Sequence, residues 1–162
     1  MKTLVIPNDI IIPEIKRIID EGRPVTFRVR GYSMRPFLED CRDKVLLEPC
    51  RKSVKRGDVL LVEDHPSHYV LHRVIKVDGR NITLKGDGNV RGTETCKTEN
   101  LIAIATGFQR KGRSEIDSVE GWKWKTYSFI WMHTTLLRRV MLAVYRRLWL
   151  KIFPLDKTTN KK

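Results

Sequence analysis

Cysteine is scarce in this sequence, and no hydrophobic run is long enough to cross a membrane. The 162 residues include three cysteines, Cys41, Cys50 and Cys96, which form no CxxC pair and no metal-ligand spacing. We therefore expect no metal and no cofactor. The first 20 residues have an apolar run of only about seven residues, interrupted by prolines, which fits neither a secretory signal nor a membrane span. An odd cysteine count without a signal peptide indicates reduced thiols in the cytoplasm.

Acidic residues are almost absent from the last quarter of the chain. From Trp122 to Lys162 there are ten Lys or Arg and one acid, Asp156, so this segment carries +9 of the formal net charge of +13. A charge of this size predicts anionic partners, such as phospholipid headgroups, nucleic acid or an acidic protein surface. A protein that coats nucleic acid more often spreads its charge over the folded face. This distribution therefore argues against nucleic acid.

The sequence contains no internal repeat, and its periodicity changes from helical to extended after residue 22. Residues 13–22 predict a short helix, with Pro13 in a first helical position and Gly22 as the stop. Apolar residues then alternate in short runs separated by Gly, Pro, Asn and Asp, which indicates a compact, mostly antiparallel β domain. The runs are 24–30, 44–48, 58–64, 69–77, 81–85 and 101–109, with a hairpin turn at Asp78-Gly79. We expect an N-terminal helical segment 1–23, a β domain 24–109, a linker 110–125, an amphipathic basic helix 126–154 and a disordered tail 155–162.

The predicted C-terminal helix combines an apolar stripe with an arginine-rich face. Spanning a bilayer would return at most about 7 kcal/mol from its apolar side chains, whereas its four central arginines would cost roughly 10–14 kcal/mol. Residues 129–153 are therefore expected to lie on an anionic membrane surface, which would make the protein peripheral at the inner face of the membrane. The alternatives are that the stripe packs on the β domain or on a partner helix, or that the basic face binds nucleic acid. The stripe comprises Leu137, Val140, Met141, Val144, Tyr145, Leu148 and Ile152.

Ser33 follows a predicted strand in the stretch RVRGYSMRPFLED. A serine at the end of a strand, close to a glycine, can expose both its hydroxyl and its own N–H, which are the two groups that an acyl-transfer nucleophile requires. Taken alone, a turn serine that hydrogen-bonds to neighbouring backbone is the simpler interpretation.

His72 and Asp87 supply the other groups that such a nucleophile needs. Alternation places His72 in the middle of YVLHRVIKV, on the same face as Val70 and Val74 and facing the core, where it could act as a general base. Asp87 lies in the glycine-flanked loop of LKGDGN, directly after the next strand. Each has a structural alternative, a core histidine and a turn aspartate. Lys85 and Lys76 are less favoured alternative bases.

Four motifs in this order, GYSMRPFL, KRGDVLLV, YVLHRVIKV and ITLKGDGN, resemble the type I signal peptidases, which share a superfamily with the self-cleaving LexA-like repressors. The resemblance covers roughly residues 24–109 and is closest to the archaeal and endoplasmic-reticulum branch, in which a histidine replaces the usual bacterial lysine. It implies the peptidase β fold of that superfamily, with Ser33 as nucleophile, His72 as base and Asp87 as the third member.

The chain departs from the family pattern at three places. Bacterial enzymes often have a serine where this chain has Gly31, so the oxyanion hole would depend on backbone N–H groups, those of Gly31, Ser33 and Met34. The acidic pair of the histidine branch falls on Gly92 and Thr93, with Glu94 just beyond, which makes Glu94 the second candidate for the third member. The family's usual N-terminal membrane anchor has no counterpart before the β domain.

The resemblance therefore implies a serine endopeptidase that removes a leader or signal-like segment. Its peptide or protein substrate would bind in extended form against an edge strand, with small residues before the scissile bond. The alternative is a LexA-like domain that cleaves itself or only binds, although the 22 residues before the β domain are too few for a helix-turn-helix. A basic module that binds nucleic acid is a third possibility, and it lacks a repeated aromatic platform.

Overall fold

One antiparallel sheet dominates the computed structural model, which describes residues 7–134, 138–149 and 151. Its strand order is β1-β2-β7-β3-β4-β5-β6, with β8 paired to β7. All the pairings between described strands are antiparallel, so the predicted mostly-β class is confirmed. The strands are β1 Val25–Arg28, β2 Lys44–Glu48, β3 Val59–His65, β4 His68–Asp78, β5 Asn81–Lys85, β6 Glu94–Lys97, β7 Leu101–Gln109 and β8 Asp117–Ser118.

The central strand β3 separates two hydrophobic cores. Val59 and Leu61 belong to a larger core that includes helix α1 (Asn8–Asp20), while Leu60 and Val62 belong to a smaller one. Because successive side chains of a strand point to opposite faces, a strand with four consecutive buried apolar residues must be covered on both sides. The smaller core comprises Leu60, Val62, Val74, Ile82, Leu84, Cys96 and Ile104.

Most of the strands lie where alternation predicts them. The predicted hairpin is present, with Asp78 paired to Asn81 across Gly79-Arg80. Two strands, β6 and β8, were not predicted. Helix α1 begins at Asn8 rather than at residue 13, because the N–H groups of Ile10 and Ile11 already bond to the Pro7 carbonyl.

The chain after β7 is attached to the sheet more closely than its composition suggests. The interval predicted as a linker, 110–125, contains β8 and the start of helix α2 (Trp122–His133). In place of one helix over 126–154, the described residues form α2, α3 (Arg138–Val144) and a π-helical segment, Tyr145–Trp149. The tail 155–162 lies outside the described residues.

Aromatic side chains explain why α2 packs on the sheet. The ring of Trp124 lies 4.4 Å from that of Phe37 and 4.7 Å from that of Phe108, and Trp131 is almost fully buried. Large aromatic surfaces of this kind dominate the energetics of packing. Farther along the chain, the hydroxyl of Tyr145 donates to Glu39, which is fully buried. α2 and Tyr145 therefore pack on the β domain, whereas Val140, Val144 and Leu148 of the predicted stripe are exposed.

Candidate active site

Ser33 lies in the loop that follows β1, and its hydroxyl is not hydrogen-bonded within the described residues. The Gly31 N–H donates to Asp40 Oδ1 at 2.8 Å, and Gly31 has a φ of 99°, a conformation that favours glycine. Ser33 is half-buried, and its hydroxyl makes no hydrogen bond to any residue in the described ranges.

The loop 86–89, which follows β5, holds the Ser33 backbone in place. The Gly88 N–H donates to the Ser33 carbonyl at 2.7 Å, and the Asn89 N–H closes the loop on the Gly86 carbonyl at 3.0 Å. A Cβ on Gly86 would overlap the Ser33 carbonyl oxygen, and one on Gly88 would lie 2.6 Å from the Tyr32 carbonyl oxygen. Both glycines therefore permit a backbone approach that no other residue allows.

We expect Gly86→Ala to displace Ser33 and to lower reactivity at its hydroxyl by about 100-fold, since a misplacement of about 1 Å costs that much in an oriented site. The measurement is the rate of acylation by a fluorophosphonate probe, with circular dichroism to verify folding. Gly79→Asn is the matched control: Gly79 has a φ of 57°, which Asn tolerates, and a Cβ there would meet no atom within 4 Å. Equal acylation rates for Gly86→Ala and Gly79→Asn would contradict this account of the loop.

His72 lies on the smaller-core face of β4, as alternation predicts, and is 4% exposed. Its Nδ1 is 2.8 Å from Glu94 Oε2. Its Nε2 has no hydrogen-bond partner in the described part of the chain.

The register of the sheet carries His72 toward Gly86, which contacts the Ser33 backbone. Arg73 pairs with Lys85, so continuing the pairing by one residue sets His72 opposite Gly86, which adjoins the Ser33 carbonyl. Within the described ranges no hydrogen bond joins Ser33 Oγ to His72.

Asp87 bonds to Arg73 rather than to His72. Its two carboxylate oxygens accept from Arg73 Nε at 2.8 Å and Nη2 at 2.7 Å, and both side chains are 1% exposed. The Tyr127 hydroxyl donates to the same carboxylate at 3.1 Å. Arg73 also donates to the Gly57 carbonyl and to Ser128 Oγ, so all these groups are satisfied.

The alternation of side chains along β4 explains why Asp87 contacts Arg73 while Glu94 contacts His72. Arg73 follows His72 on β4 and therefore points to the other face, where Asp87 and Tyr127 meet it. Glu94 pairs with Leu84 across β5 and β6, and Leu84 pairs with Val74, which places Glu94 on the face of His72. Of the two candidates for the third member, Glu94 contacts the imidazole and Asp87 does not.

The contact with Asp87 favours the charged form of Arg73 inside the protein. Burial lowers the pKa of Arg73, but the charge of Asp87 and its hydrogen bonds outweigh this, so the net pKa is raised. Burial, together with the charge of Asp87, holds the pKa of Tyr127 well above its usual value, so that its hydroxyl remains a donor. Asp87 thereby ties the strand of His72 to the loop 86–89, whose Gly88 N–H donates to the Ser33 carbonyl.

Two of the three predicted oxyanion donors are available. The Gly31 N–H is occupied by Asp40, whereas the N–H groups of Ser33 and Met34 donate to no residue in the described ranges.

The alternative bases are engaged elsewhere: Lys76 is exposed and pairs with Asp78 at 3.0 Å, and Lys85 donates to the Val90 carbonyl at 3.2 Å.

Comparison with protein-family models, with curated proteins and with solved structures found no match to this chain.

Proposed function

We propose that this chain is a serine endopeptidase that cleaves a leader or signal-like segment by acyl transfer. The observation that carries the proposal is the arrangement at His72: Nδ1 is bonded to Glu94, Nε2 has no hydrogen-bond partner among the described residues, and the adjacent loop 86–89 contacts the Ser33 backbone. An acid on one ring nitrogen fixes the tautomer in which the other nitrogen accepts a proton.

In the proposed reaction, Ser33 Oγ attacks the peptide carbonyl carbon while His72 Nε2 takes the hydroxyl proton. The N–H groups of Ser33 and Met34 would donate to the oxyanion. Collapse of the tetrahedral intermediate breaks the C–N bond, and the leaving amine takes the proton from His72. Water, deprotonated by His72, then hydrolyses the acyl-enzyme and restores Ser33.

The sheet edges suit a substrate in extended conformation. β1, which leads into the Ser33 loop, pairs only with β2 among the described strands, so one of its edges is open. A peptide can add to such an edge through main-chain hydrogen bonds, while pockets for alternate side chains supply selectivity. Small residues before the scissile bond, as the resemblance implies, are the expected preference.

Labelling with a fluorophosphonate probe, followed by peptide mapping, tests the proposal. We expect one equivalent of probe on Ser33, because only an activated serine reacts rapidly with this electrophile. Heat-unfolded protein is the control for non-specific labelling. No labelling of the folded protein, or a label on a different serine, would refute the proposed nucleophile. A peptide library then separates cleavage in trans from the self-cleavage of a LexA-like domain.

We further propose that the peptidase docks on an anionic membrane surface through α3 and the segment after it. Val140, Val144 and Leu148 recur at four-residue spacing, and all three are more than half exposed. Arg147 and Lys151 are exposed nearby. An apolar stripe flanked by cations fits the boundary between acyl chains and anionic headgroups. Leu137 and Ile152, also assigned to the stripe from the sequence, lie outside the described residues, and no helix within the described ranges is long and apolar enough to span a bilayer.

We expect the double variant Val144→Ser/Leu148→Ser to bind phosphatidylserine vesicles at least about tenfold more weakly, since burying each side chain is worth about 1.5–3 kcal/mol. Vesicle sedimentation measures the effect. Val77→Ser, which removes an exposed valine from β4, is the matched control. Point substitutions are used because deletion from residue 126 onwards would remove Tyr127 and Trp131 from the folded domain. Unchanged vesicle binding by the double variant would exclude docking through this stripe.

A further inference from the structure

The tip of the β3–β4 hairpin gathers two histidines and a carboxylate. His65 ends β3 and pairs with His68, which begins β4. The ligand atoms of Asp64, His65 and His68 all lie within 4.8 Å of one another. The sequence carries them as Asp-His-Pro-Ser-His, a spacing that includes no cysteine and therefore differs from the cysteine-based metal motifs.

Both imidazoles turn the same nitrogen toward one carboxylate. His68 Nδ1 lies 2.5 Å from Asp64 Oδ1, and His65 Nδ1 lies 3.1 Å from Oδ2. The two rings are stacked, with centroids 4.2 Å apart and planes inclined by 12°. Because strand pairing already sets the two histidines opposite each other, little conformational entropy is lost if they bind an ion together.

The donor set selects the class of ion. Two imidazole nitrogens and one carboxylate oxygen suit Zn²⁺ and similar borderline transition metals, whereas Mg²⁺ and Ca²⁺ prefer oxygen ligands. His65 and His68 are exposed, which leaves room for water in the remaining coordination positions.

The geometry points to a Zn²⁺-class metal site formed by Asp64, His65 and His68. His68 lies four residues along β4 from His72, about 14 Å at the rise of an extended strand. The site is therefore separate from the Ser33 region, and the inference stands independently of the proposed function. Bound metal would clamp the end of the hairpin.

Isothermal titration of the full chain with Zn²⁺, in the presence of a non-chelating reductant, tests the inference. We expect one equivalent to bind to the wild-type protein. The double variant His65→Gln/His68→Gln should bind at least about tenfold more weakly, since the loss even of an outer-sphere partner typically costs that much affinity. His133→Gln, which removes an exposed histidine of α2, is the matched control and should bind like wild type.

Co²⁺ provides a second measurement, which reports the ligands directly. The visible d–d bands should appear without a thiolate charge-transfer band in the wild type and should be lost in the double variant. Metal-free circular dichroism should be the same for both proteins, because the two substituted side chains are exposed. Absence of Zn²⁺ binding to the wild type, equal affinity in the double variant, or a thiolate band would each overturn the inference. None of these outcomes depends on reactivity at Ser33.

Discussion

Ser33→Ala and His72→Ala are each expected to lower the rate of peptide cleavage by about 10⁶-fold, as in serine peptidases whose nucleophile and base act as one unit. Without the hydroxyl the proposed nucleophile is lost, and without the imidazole the proposed proton acceptor is lost. Because the two residues act in the same step, the double variant should be no slower than either single variant. We expect this non-additivity to appear in kcat/KM for a cleavable library peptide.

The controls come from the same residue types in exposed positions. Ser53→Ala and His133→Ala remove an exposed serine and an exposed histidine, and both should retain full activity. Circular dichroism of His72→Ala verifies folding, because His72 is buried against the smaller core. If His72→Ala cleaves and labels at the wild-type rate, Lys85 or another base activates Ser33 and the proposed mechanism fails.

Alternation of apolar residues is sufficient to predict most of the sheet, because it reports burial on one face of each strand. It predicts the β4–β5 hairpin and the buried face on which His72 lies. β6 escapes prediction because ETCK contains one buried residue, Cys96, and its pairing depends on β5. The two-residue strand β8 exists only through its pairing with β7.

Because the sequence pattern does not predict β6, it also does not place Glu94 beside His72, and Asp87 ranks first as the third member. The resemblance favours Asp87 through the motif ITLKGDGN, but the choice of partner depends on which face of β4 each acid reaches. The face on which Glu94 lies depends on the β5–β6 register, and the sequence pattern does not predict β6. A helix predicted over residues 126–154 also leaves out Trp124, which lies in the first turn of α2 and packs on Phe37.

Substitutions of Glu94 and Asp87 offer the sharpest test of which acid supports His72, because one should lower activity and the other should lower stability. Glu94→Gln is expected to lower kcat/KM by about 10⁴-fold, the scale of effect when the acid behind a catalytic histidine becomes an amide and the wrong tautomer is favoured. The free energy of unfolding should change little, because Glu94 is partly exposed and Gln occupies the same volume. Steady-state kinetics and thermal melts on the same preparation measure both quantities.

Asp87→Asn should instead act on stability. It leaves the guanidinium of Arg73 buried without its counter-charge, and breaking a buried pair in this way costs about 3–5 kcal/mol. For a domain of this size we expect Tm to fall by roughly 6–20 °C. Below that transition, the molecules that remain folded should acylate far faster than Glu94→Gln, because Asp87 positions the loop and does not touch the imidazole. A stable but inactive Asp87→Asn variant, together with an active Glu94→Gln variant, would contradict this assignment. Asp87 would then be the third member, and His72 would have to exchange Glu94 for Asp87 when substrate binds.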